Sequence, residues 1–319
     1  MTKSVLDFEK PIRELEKKIQ DLKSYSETHD VDVSRSVESL EKQIEKQKKD
    51  IFSNLTPWQR VQVARHPERP YPEDYVKTLF SDFMEFHGDR RFSDDKAIFG
   101  GFAKLDDQKV MIIGTRKGRE LKENVEVNFG SAHPEGYRKA LRLMKMAEKA
   151  RVPIISLIDT PGAYPGIGAE ERHIAEAIAV NLREMFKLQV PIVVTIVGEG
   201  GSGGALGIGI GDKVMILENA YYSVITPEGC AAILWHDGKA APEAAEALKI
   251  TSKDLQQMEI VDEIINEPLG GAHQDPDTVY QNLKKAIQNN LKKLSSLSTK
   301  ELCRNRYNKF RKIGVFNEE

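Results

Sequence analysis

The sequence is poor in cysteine. Only Cys230 and Cys303 occur among 319 residues, and no C-x-x-C spacing is present. Two distant cysteines cannot build a disulfide framework or a cysteine-based zinc site within this chain. Long apolar runs are also missing: no stretch approaches the roughly 18 residues that span a bilayer, and the first residues lack a signal-peptide core. These absences predict a cytoplasmic protein with reduced cysteines and no membrane contact.

Neither sign of charge dominates the chain. The 47 Lys+Arg residues nearly balance the 49 Asp+Glu residues and leave a formal net charge of −2. Such a balance produces no overall field that attracts nucleic acid or anionic lipid, so no nucleic-acid binding is expected, with binding by a local patch as the alternative. Histidine is also scarce, with seven scattered residues and no H-E-x-x-H or comparable ligand spacing. We therefore expect no metal site in this chain.

The composition divides the chain into three parts. Residues 1–55 carry two heptad-like apolar stripes in Lys/Glu-rich surroundings, which predict an N-terminal helical hairpin arm, although a solvated charged arm is an alternative. Residues 56–296 alternate short β-branched runs with amphipathic helices, which predicts an α/β domain with largely parallel strands that ends in a C-terminal helix. Residues 297–319 are polar and are expected to form a loose C-terminal tail.

The expected elements of the α/β domain begin with a hairpin of strands 98–104 and 109–114. Helices are predicted at 134–150, 170–186, directly after Ser202 and from Pro276 onward. Further strands are predicted at 153–158, 191–197, 213–217, 222–225 and 260–265.

Glycine is concentrated in one segment. Eight of the 23 glycines lie in residues 198–211, GEGGSGGALGIGIG, directly after a predicted buried strand. This position puts backbone amides at the carboxyl end of a strand and the amino end of a helix. Because glycine has no side chain, a ligand oxygen can approach two N–H donors closely. Close packing between elements is the alternative, but the pattern favours a site of backbone amides that stabilises an enolate-like oxygen.

Two short motifs in this segment suggest other functions. Gly198, Gly200 and Gly203 satisfy the dinucleotide pattern G-x-G-x-x-G, and Gly200, Ser202 and Gly204 satisfy the hydrolase pattern G-x-S-x-G. A dinucleotide site needs a longer helix than the roughly ten residues available here. A serine hydrolase would need a downstream acid and a histidine, for which His236 and His273 are candidates.

Two further loops follow neighbouring predicted strands. The loop of residues 159–166, DTPGAYPG, is rigid and could form one wall of a flat-ligand pocket, or simply connect a strand to a helix. The loop of residues 117–122, KGRELK, brings three cations together and could hold phosphate or carboxylate, or be a solvated turn.

The triplet Met-Lys-Met, the core of a biotin attachment site, occurs at residues 144–146. A biotin carrier presents this lysine on an exposed hairpin, whereas Lys145 lies inside a predicted amphipathic helix. Lys145 is therefore expected to be an ordinary surface lysine, and no biotin is expected to be bound covalently to this chain.

Taken together, GEGGSGGALGIGIGDKV, IDTPGAYPGIGAEER, NFGSAHPEGYRKALRLMK, YSVITPEGCAAILW and EPLGGAH resemble the alpha subunits of bacterial-type acetyl-coenzyme A carboxylase carboxyl transferase. The similarity extends over nearly the whole chain. It implies a crotonase-like fold of stacked ββα turns. It also implies transfer of a carboxyl group from carboxybiotin, on a separate biotin carboxyl carrier protein, to acetyl-CoA, which gives malonyl-CoA for fatty acid biosynthesis.

The resemblance also implies partners and site residues. An alpha2beta2 heterotetramer would be formed with a beta subunit that carries the only zinc site, and biotin carboxylase would complete the larger complex. The backbone amides of Gly203 and Gly204 would form the oxyanion hole for the biotin ureido oxygen. The expected substrate-binding residues are Gly200, Gly201, Gly162, Ala163, Tyr164, Lys117, Gly118 and Arg119. A self-sufficient crotonase-like enzyme and a non-catalytic scaffold are the competing hypotheses.

Overall fold

The computed structural model describes residues 6–29 and 31–315. The strands are β1 (Ser81–Glu85), β2 (Ile98–Leu105), β3 (Gln108–Thr115), β4 (Ile154–Thr160), β5 (Ile192–Gly201), β6 (Lys213–Leu217), β7 (Tyr221–Ser223) and β8 (Glu263–Ile265). The α helices are α1 (Lys10–His29), α2 (Ser34–Ser53), α3 (Pro57–Ala64), α4 (Pro72–Leu79), α5 (Leu121–Glu126), α6 (Pro134–Ala150), α7 (Ile167–Glu171), α8 (Ile174–Met185), α9 (Ser202–Leu206), α10 (Pro227–Leu234), α11 (Ala241–Leu248), α12 (Ser252–Gln257), α13 (Pro276–Leu294) and α14 (Thr299–Arg311).

All of these strands belong to one mixed sheet. Its order is β1-β2-β3-β4-β5-β6-β8, with β7 paired to β5. The hairpin strands β1, β2 and β3 are antiparallel, whereas β3, β4, β5, β6 and β8 run parallel. Every residue of β4 and β5 is buried, as expected for parallel strands that are covered on both faces. The carboxyl ends of these central strands therefore meet at one edge of the sheet, where their loops are brought together.

Strand β5 changes neighbours along its length. Residues 193–196 pair with β6, while residues 199–201 pair with β7. On its other side the register with β4 shifts, because Ile158 pairs with Ile196 but Thr160 pairs with Gly200. The extra residues form a bulge opposite Asp159, and a bulge frees backbone groups from the ladder. The predicted glycine segment thus starts within β5, since the strand continues to Gly201 rather than ending at residue 197.

Most predicted elements are confirmed with small changes at their ends. The helix at 134–150 matches α6, and the hairpin at 98–104 and 109–114 matches β2 and β3. The helix predicted at 170–186 is interrupted: α7 ends at Glu171, and α8 begins after His173, which has a left-handed φ of 65°. The prediction missed this break because no glycine or proline lies between Ala169 and Ile174 to mark it.

The expectation of a loose C-terminal tail is wrong for residues 299–311. These residues form α14, whose Arg306 is buried and donates to Asp212 at 2.7 and 2.9 Å. The same guanidinium also donates to the carbonyls of Met185, Leu188 and Val190. The helix also packs Leu302 and Phe310 against the core, but these few apolar residues stand in a mostly polar segment that predicted a tail.

At the other end, α1 and α2 form an antiparallel hairpin. Ile12, Leu15 and Val37 are its buried apolar residues, and Phe8 packs edge-on against Phe52 with ring centroids 6.0 Å apart. The helices agree with the predicted arm, while the domain boundaries at residues 55 and 296 remain a prediction. No helix within residues 6–29 and 31–315 is long and apolar enough to cross a membrane.

Candidate functional site

The site lies where β3, β4 and β5 end. The bulge opposite Asp159 leaves the backbone N–H of Glu199 and the carbonyl of Val197 without ladder partners. The carboxylate of Asp159 accepts from the Glu199 N–H at 2.9 Å, and Arg69 donates to the Val197 carbonyl at 2.8 Å. Between them, Gly198 has no room for a side chain, since an added Cβ would lie 2.6 Å from the Asp159 carboxylate. Two buried side chains therefore fix the backbone that leads into the glycines.

The glycine loop, residues 200–209, packs directly on the loop that follows β4. A Cβ on Gly201 would lie 2.1 Å from the Pro161 carbonyl oxygen. A Cβ on Gly204 would lie 2.4 Å from the carbonyl carbon of Gly162 and 2.6 Å from the nitrogen of Ala163. These neighbours are backbone atoms that cannot rotate away. The sequence-predicted residues Gly201, Gly204, Gly162 and Ala163 are thus brought into contact.

The short helix α9 begins inside this loop. Its N-cap, Gly201, offers no side-chain acceptor, so the first-turn amides of Ser202, Gly203 and Gly204 have no capping bond. Gly203 is partly exposed, and an added Cβ there would meet only the flexible Ile178 side chain at 3.2 Å. Gly203 thus lies at the surface of the loop, whereas Gly204 is buried against the loop that follows β4.

A buried ion cluster lies beneath the loops. The Lys117 ammonium donates to Asp159 at 2.6 Å and to Glu199 at 2.8 Å, and the three side chains are 13%, 1% and 8% exposed. Burial alone would raise the pKa of Glu199, but the positive charges of Lys117 and Arg65 outweigh it and lower the pKa to about 2. Burial opposes the charge of Lys117, but the two carboxylates outweigh it and raise the pKa of the amine. Glu199 and Lys117 are therefore both ionised at neutral pH.

The Glu199 carboxylate also accepts hydrogen bonds from residues that sequence reasoning did not predict for the site. Arg65, just after α3, donates to Glu199 at 2.5 Å and to Glu228 of α10 at 2.5 Å. The Tyr221 hydroxyl donates to Glu199 at 2.8 Å and accepts from Arg65 at 3.0 Å. Burial, aided by the charge of Glu199, raises the pKa of Tyr221, so this hydroxyl stays protonated. Glu199 and Glu228 lie in motifs that sequence analysis quoted, but neither these residues nor Arg65 and Tyr221 were predicted as site residues.

The cationic loop, residues 117–119, is divided by the fold. Lys117 points to the ion cluster, whereas Arg119 points outward, where it forms an ion pair with Asp74 and stacks on Tyr71 at 4.5 Å. Gly118 is buried against the start of α5 and donates to the Asn124 side chain at 3.2 Å. Lys117, Gly118 and Arg119 still line one cavity of about 500 Å³, although both cations are already paired with carboxylates of the chain.

Tyr164 forms the outer part of the loop after β4. Its ring contacts His133, with ring centroids 4.2 Å apart, and it covers Gly166, where an added Cβ would lie 2.3 Å from the ring. The ring is partly exposed and stands on the same loop as Gly162 and Ala163. It can present an apolar surface to a flat ligand there, although no contact in the structure tests this expectation.

An apolar groove of about 420 Å³ opens beside Ser202 and Leu206. Ser202 has a φ of 48°, as a strained nucleophile would. None of the described residues that line this groove is a histidine. Of the two candidate bases, His273 stacks on His66 at 3.8 Å and His236 is exposed beyond α10. The geometry gives the hydrolase alternative no support.

The dinucleotide alternative and the biotin-like triplet are also answered by local structure. Helix α9 has only five residues, too few for a dinucleotide-binding helix. Glu218, which lies about where the pattern would place a ribose-binding acid, accepts instead from the Glu267 N–H at 3.2 Å. Lys145 is an exposed residue of α6, as predicted. Within the described part of the chain, no group of three or more His, Cys, Asp or Glu side chains is arranged to hold a metal ion.

Residues 5–314 match the family model described as acetyl co-enzyme A carboxylase carboxyltransferase-like. The chain is 58% identical to the acetyl-coenzyme A carboxylase carboxyl transferase subunit alpha of Geobacter metallireducens. The 313 aligned residues cover 98% of each chain. It is 52% identical to the subunit of the same name from Thermus thermophilus, over 98% of this chain and 99% of that one.

Solved structures are similar in fold. A 12S transcarboxylase with hydrolysed methylmalonyl-coenzyme A bound superimposes with a TM-score of 0.58 at 18% identity, over 72% of this chain and 42% of that chain. A Pseudomonas malonate decarboxylase hetero-tetramer in complex with coenzyme A has a TM-score of 0.54 at 13% identity, over 64% of this chain and 82% of that one. These likenesses confirm the predicted crotonase-like α/β fold.

Proposed function

The chain belongs to the family of acetyl-coenzyme A carboxylase carboxyl transferase alpha subunits, and we propose that its glycine loop binds the biotin oxygen on which charge develops during carboxyl transfer. As a member of this family it is a carboxyl transferase subunit that works with partner subunits. In the proposed reaction, the carboxyl group leaves carboxybiotin on a separate carrier protein and is added to the methyl carbon of acetyl-CoA. The product, malonyl-CoA, is used in fatty acid biosynthesis.

The observation that carries this proposal is the contact between Gly204 and the Gly162–Ala163 backbone. It holds the first turn of α9 at the end of β5 and leaves the Gly203 and Gly204 amides uncapped. Two fixed N–H donors stabilise a developing oxyanion without reorganising during the reaction. Gly200 and Gly201 shape the approach, and Ala163 and Tyr164 form the wall beside the ligand.

The ion cluster supports a mechanism without a side-chain base. Glu199 is the carboxylate nearest to the glycine loop in sequence, yet it accepts hydrogen bonds from Lys117, Arg65 and Tyr221. A carboxylate with a pKa of about 2 is a poor proton acceptor at neutral pH. We propose that the ureido nitrogen of biotin, after it has released the carboxyl group, takes the proton from the methyl group of acetyl-CoA.

The proposed function also requires partner proteins. A beta subunit would complete an alpha2beta2 heterotetramer in the cytoplasm and would carry the zinc site. The biotin carboxyl carrier protein would deliver carboxybiotin, and biotin carboxylase would belong to the larger complex. Lys117 and Gly118 serve the architecture of the site in this proposal, and Arg119 is assigned no contact with the substrate.

The test is the reverse reaction, with malonyl-CoA and a free biotin derivative as substrates and acetyl-CoA formation as the readout. The chain alone should be inactive, and the chain co-purified with a zinc-containing beta subunit should be active. Ser202→Ala should retain activity in the pair, because backbone amides rather than the hydroxyl stabilise the charge. Activity of the chain alone would instead support a self-sufficient enzyme, and loss of activity in Ser202→Ala would revive the hydrolase-like alternative.

A further inference from the structure

A second surface of the molecule carries an unusual charge. A groove of about 550 Å³ runs between α6 and α8, and six cationic but only two acidic side chains line it. The cations are Arg91, Arg138, Arg142, Lys145, Lys149 and Arg183. The chain as a whole has a net charge of −2, so this local excess of positive charge is not a property of the average surface. We call it the cationic groove.

Half of these cations are already neutralised. Arg138 forms ion pairs with Asp89 at 2.8 Å and with Glu135 at 2.7 Å. Lys145 and Arg183 share Glu184, at 3.4 and 3.0 Å. Of the two acidic side chains that line the groove, Asp89 is therefore occupied by Arg138, whereas Glu176 is not paired with any of these three cations.

The other three have no such partner. Within the described part of the chain, no carboxylate lies within ion-pair distance of Arg91, Arg142 or Lys149. Arg142 donates to the carbonyls of Gly88 and His87, each at 3.1 Å, and to the Met146 sulfur at 3.5 Å. Burial and the neighbouring Arg90 lower the pKa of Arg142, against the weaker pull of Asp94 and Asp89. A partly buried guanidinium without a carboxylate favours an incoming anion.

The shape of the groove restricts what that anion can be. Four of the cations recur at helical spacing along α6, namely Arg138, Arg142, Lys145 and Lys149. The eleven helical steps from the first to the last of them span about 16 Å. Between the charged rims the lining includes the apolar side chains of Leu141, Met146 and Val180. A long, partly apolar lining with charged rims fits an amphipathic protein segment better than a phosphate backbone or a small anion.

The groove is also close to the proposed site. Asn181, which lines the groove, donates to the Gly207 carbonyl at 2.9 Å, and Ile178 of the same helix lies against Gly203. One helix therefore separates the groove from the glycine loop, and the diameter of a helix with side chains is about 10 Å. A protein docked in the groove would stand beside the site that its cargo must enter.

We propose that the cationic groove docks an acidic, amphipathic face of the protein that delivers biotin to this subunit. This inference rests on the proposed function, because it assumes that the carboxyl donor arrives on a separate carrier. Opposite charges on the two faces would speed the encounter and orient the carrier, while the apolar lining would contact its apolar side chains.

The test compares carrier-bound with free biotin in the assembled enzyme. Arg91→Glu/Lys149→Glu reverses two exposed, unpaired charges of the groove and leaves the glycine loop untouched. We expect the KM for the biotinylated carrier to rise about tenfold or more, and kcat and KM for a free biotin derivative to stay unchanged. Added salt should raise the carrier KM of the wild-type enzyme and have little effect on that of the double variant.

The matched control is Lys292→Glu/Lys293→Glu, which makes the same charge change at two exposed lysines of α13. It should leave both substrates unaffected. An unchanged carrier KM in the groove variant would overturn the proposal, and so would an equal rise in the control. The proposal would also be overturned if the wild-type enzyme bound a 20-nucleotide RNA that the groove variant no longer binds while the carrier KM of that variant stays normal.

Failure of the proposed function would look different, since wild-type enzyme would then not transfer to free biotin. In that case fluorescence anisotropy of the labelled carrier still measures docking directly: tenfold weaker binding by the groove variant would support the proposal, and equal binding would refute it.

Discussion

The glycine loop and the cationic loop are both conspicuous in the sequence, and both follow central strands, yet the fold uses them in different ways. The glycine loop presses backbone against backbone, with Gly201 and Gly204 on the Pro161–Ala163 segment. The cationic loop sends Lys117 inward to two carboxylates and Arg119 outward to Asp74. The amides at the start of α9 have no side-chain cap, while Lys117 and Arg119 of the cationic loop are paired within the chain.

The difference arises because glycines and charged residues constrain the folded structure in different ways. A glycine marks a place where a side chain would not fit, and that requirement survives whatever the neighbours are. A lysine or arginine marks only a charge, and its role depends on whether carboxylates are near it in the folded chain. Adjacent cations in a sequence therefore need not act together.

The largest effect is expected where the cationic loop is buried. Lys117→Met would leave Asp159 without a cation and Glu199 with Arg65 alone. Breaking a buried ion cluster in this way typically costs about 3–5 kcal/mol, so the free energy of unfolding in urea should fall by that amount. Arg119→Gln, two residues away, should cost less than about 1 kcal/mol, since its ion pair is partly exposed. Equal losses in the two variants would contradict the contrast between an inward and an outward cation.

The glycine loop should be most sensitive at Gly204. In Gly204→Ala the new methyl group meets the backbone of Gly162 and Ala163, so the first turn of α9 has to move. Loss of one oxyanion donor typically lowers the rate by about 10²–10³, or about 3–4 kcal/mol, and we expect transfer by the assembled enzyme to fall by this factor. Gly203→Ala keeps its amide and meets only the Ile178 side chain, so it should lose far less.

Co-purification with the beta subunit distinguishes a variant that has lost only its site from one that has lost its fold. A Gly204→Ala protein that assembles normally and transfers at the wild-type rate would remove the glycine loop from the mechanism. Equal losses in both alanine variants would mean that the amides are not distinguished by their packing.

The smallest expected effect is on acid stability. The folded-state pKa of Glu199, about 2, lies below the ordinary value, so its ionisation stabilises the fold above that ordinary value. The contribution, about 3 kcal/mol at most, should be lost as the pH falls from about 5 to about 2. Urea unfolding of wild type and Glu199→Gln across this range measures it: the difference in unfolding free energy should be large at pH 7 and shrink toward acid. A difference that is independent of pH would mean that ionisation of Glu199 does not stabilise the fold.

The sequence predicted the elements of the core well, because apolar periodicity decides which face of a strand or helix is buried. The helix at 134–150 and the hairpin that precedes it are examples. Helix α14 was missed because its apolar residues are few. Its buried Arg306 pairs with Asp212, 94 positions away, and a local pattern does not reveal such a pair.

The residues of the site were likewise predicted only in part. Gly201, Gly204, Gly162 and Ala163 were expected at one edge of the sheet, since loops after neighbouring parallel strands converge there. Arg65 and Tyr221 carry no local signal of a role in the site. They reach Glu199 only because α3 and β7 are folded against the bulged end of β5.

The sequence alone therefore determined the fold class, the order of the main elements and the segments where backbone amides are exposed, because these follow from periodicity and from the lack of side chains on glycine. The tertiary structure decided which charges are available. Whether a lysine binds a substrate or a buried carboxylate depends on residues far away in the chain, and so does whether a groove between two helices keeps its positive charge.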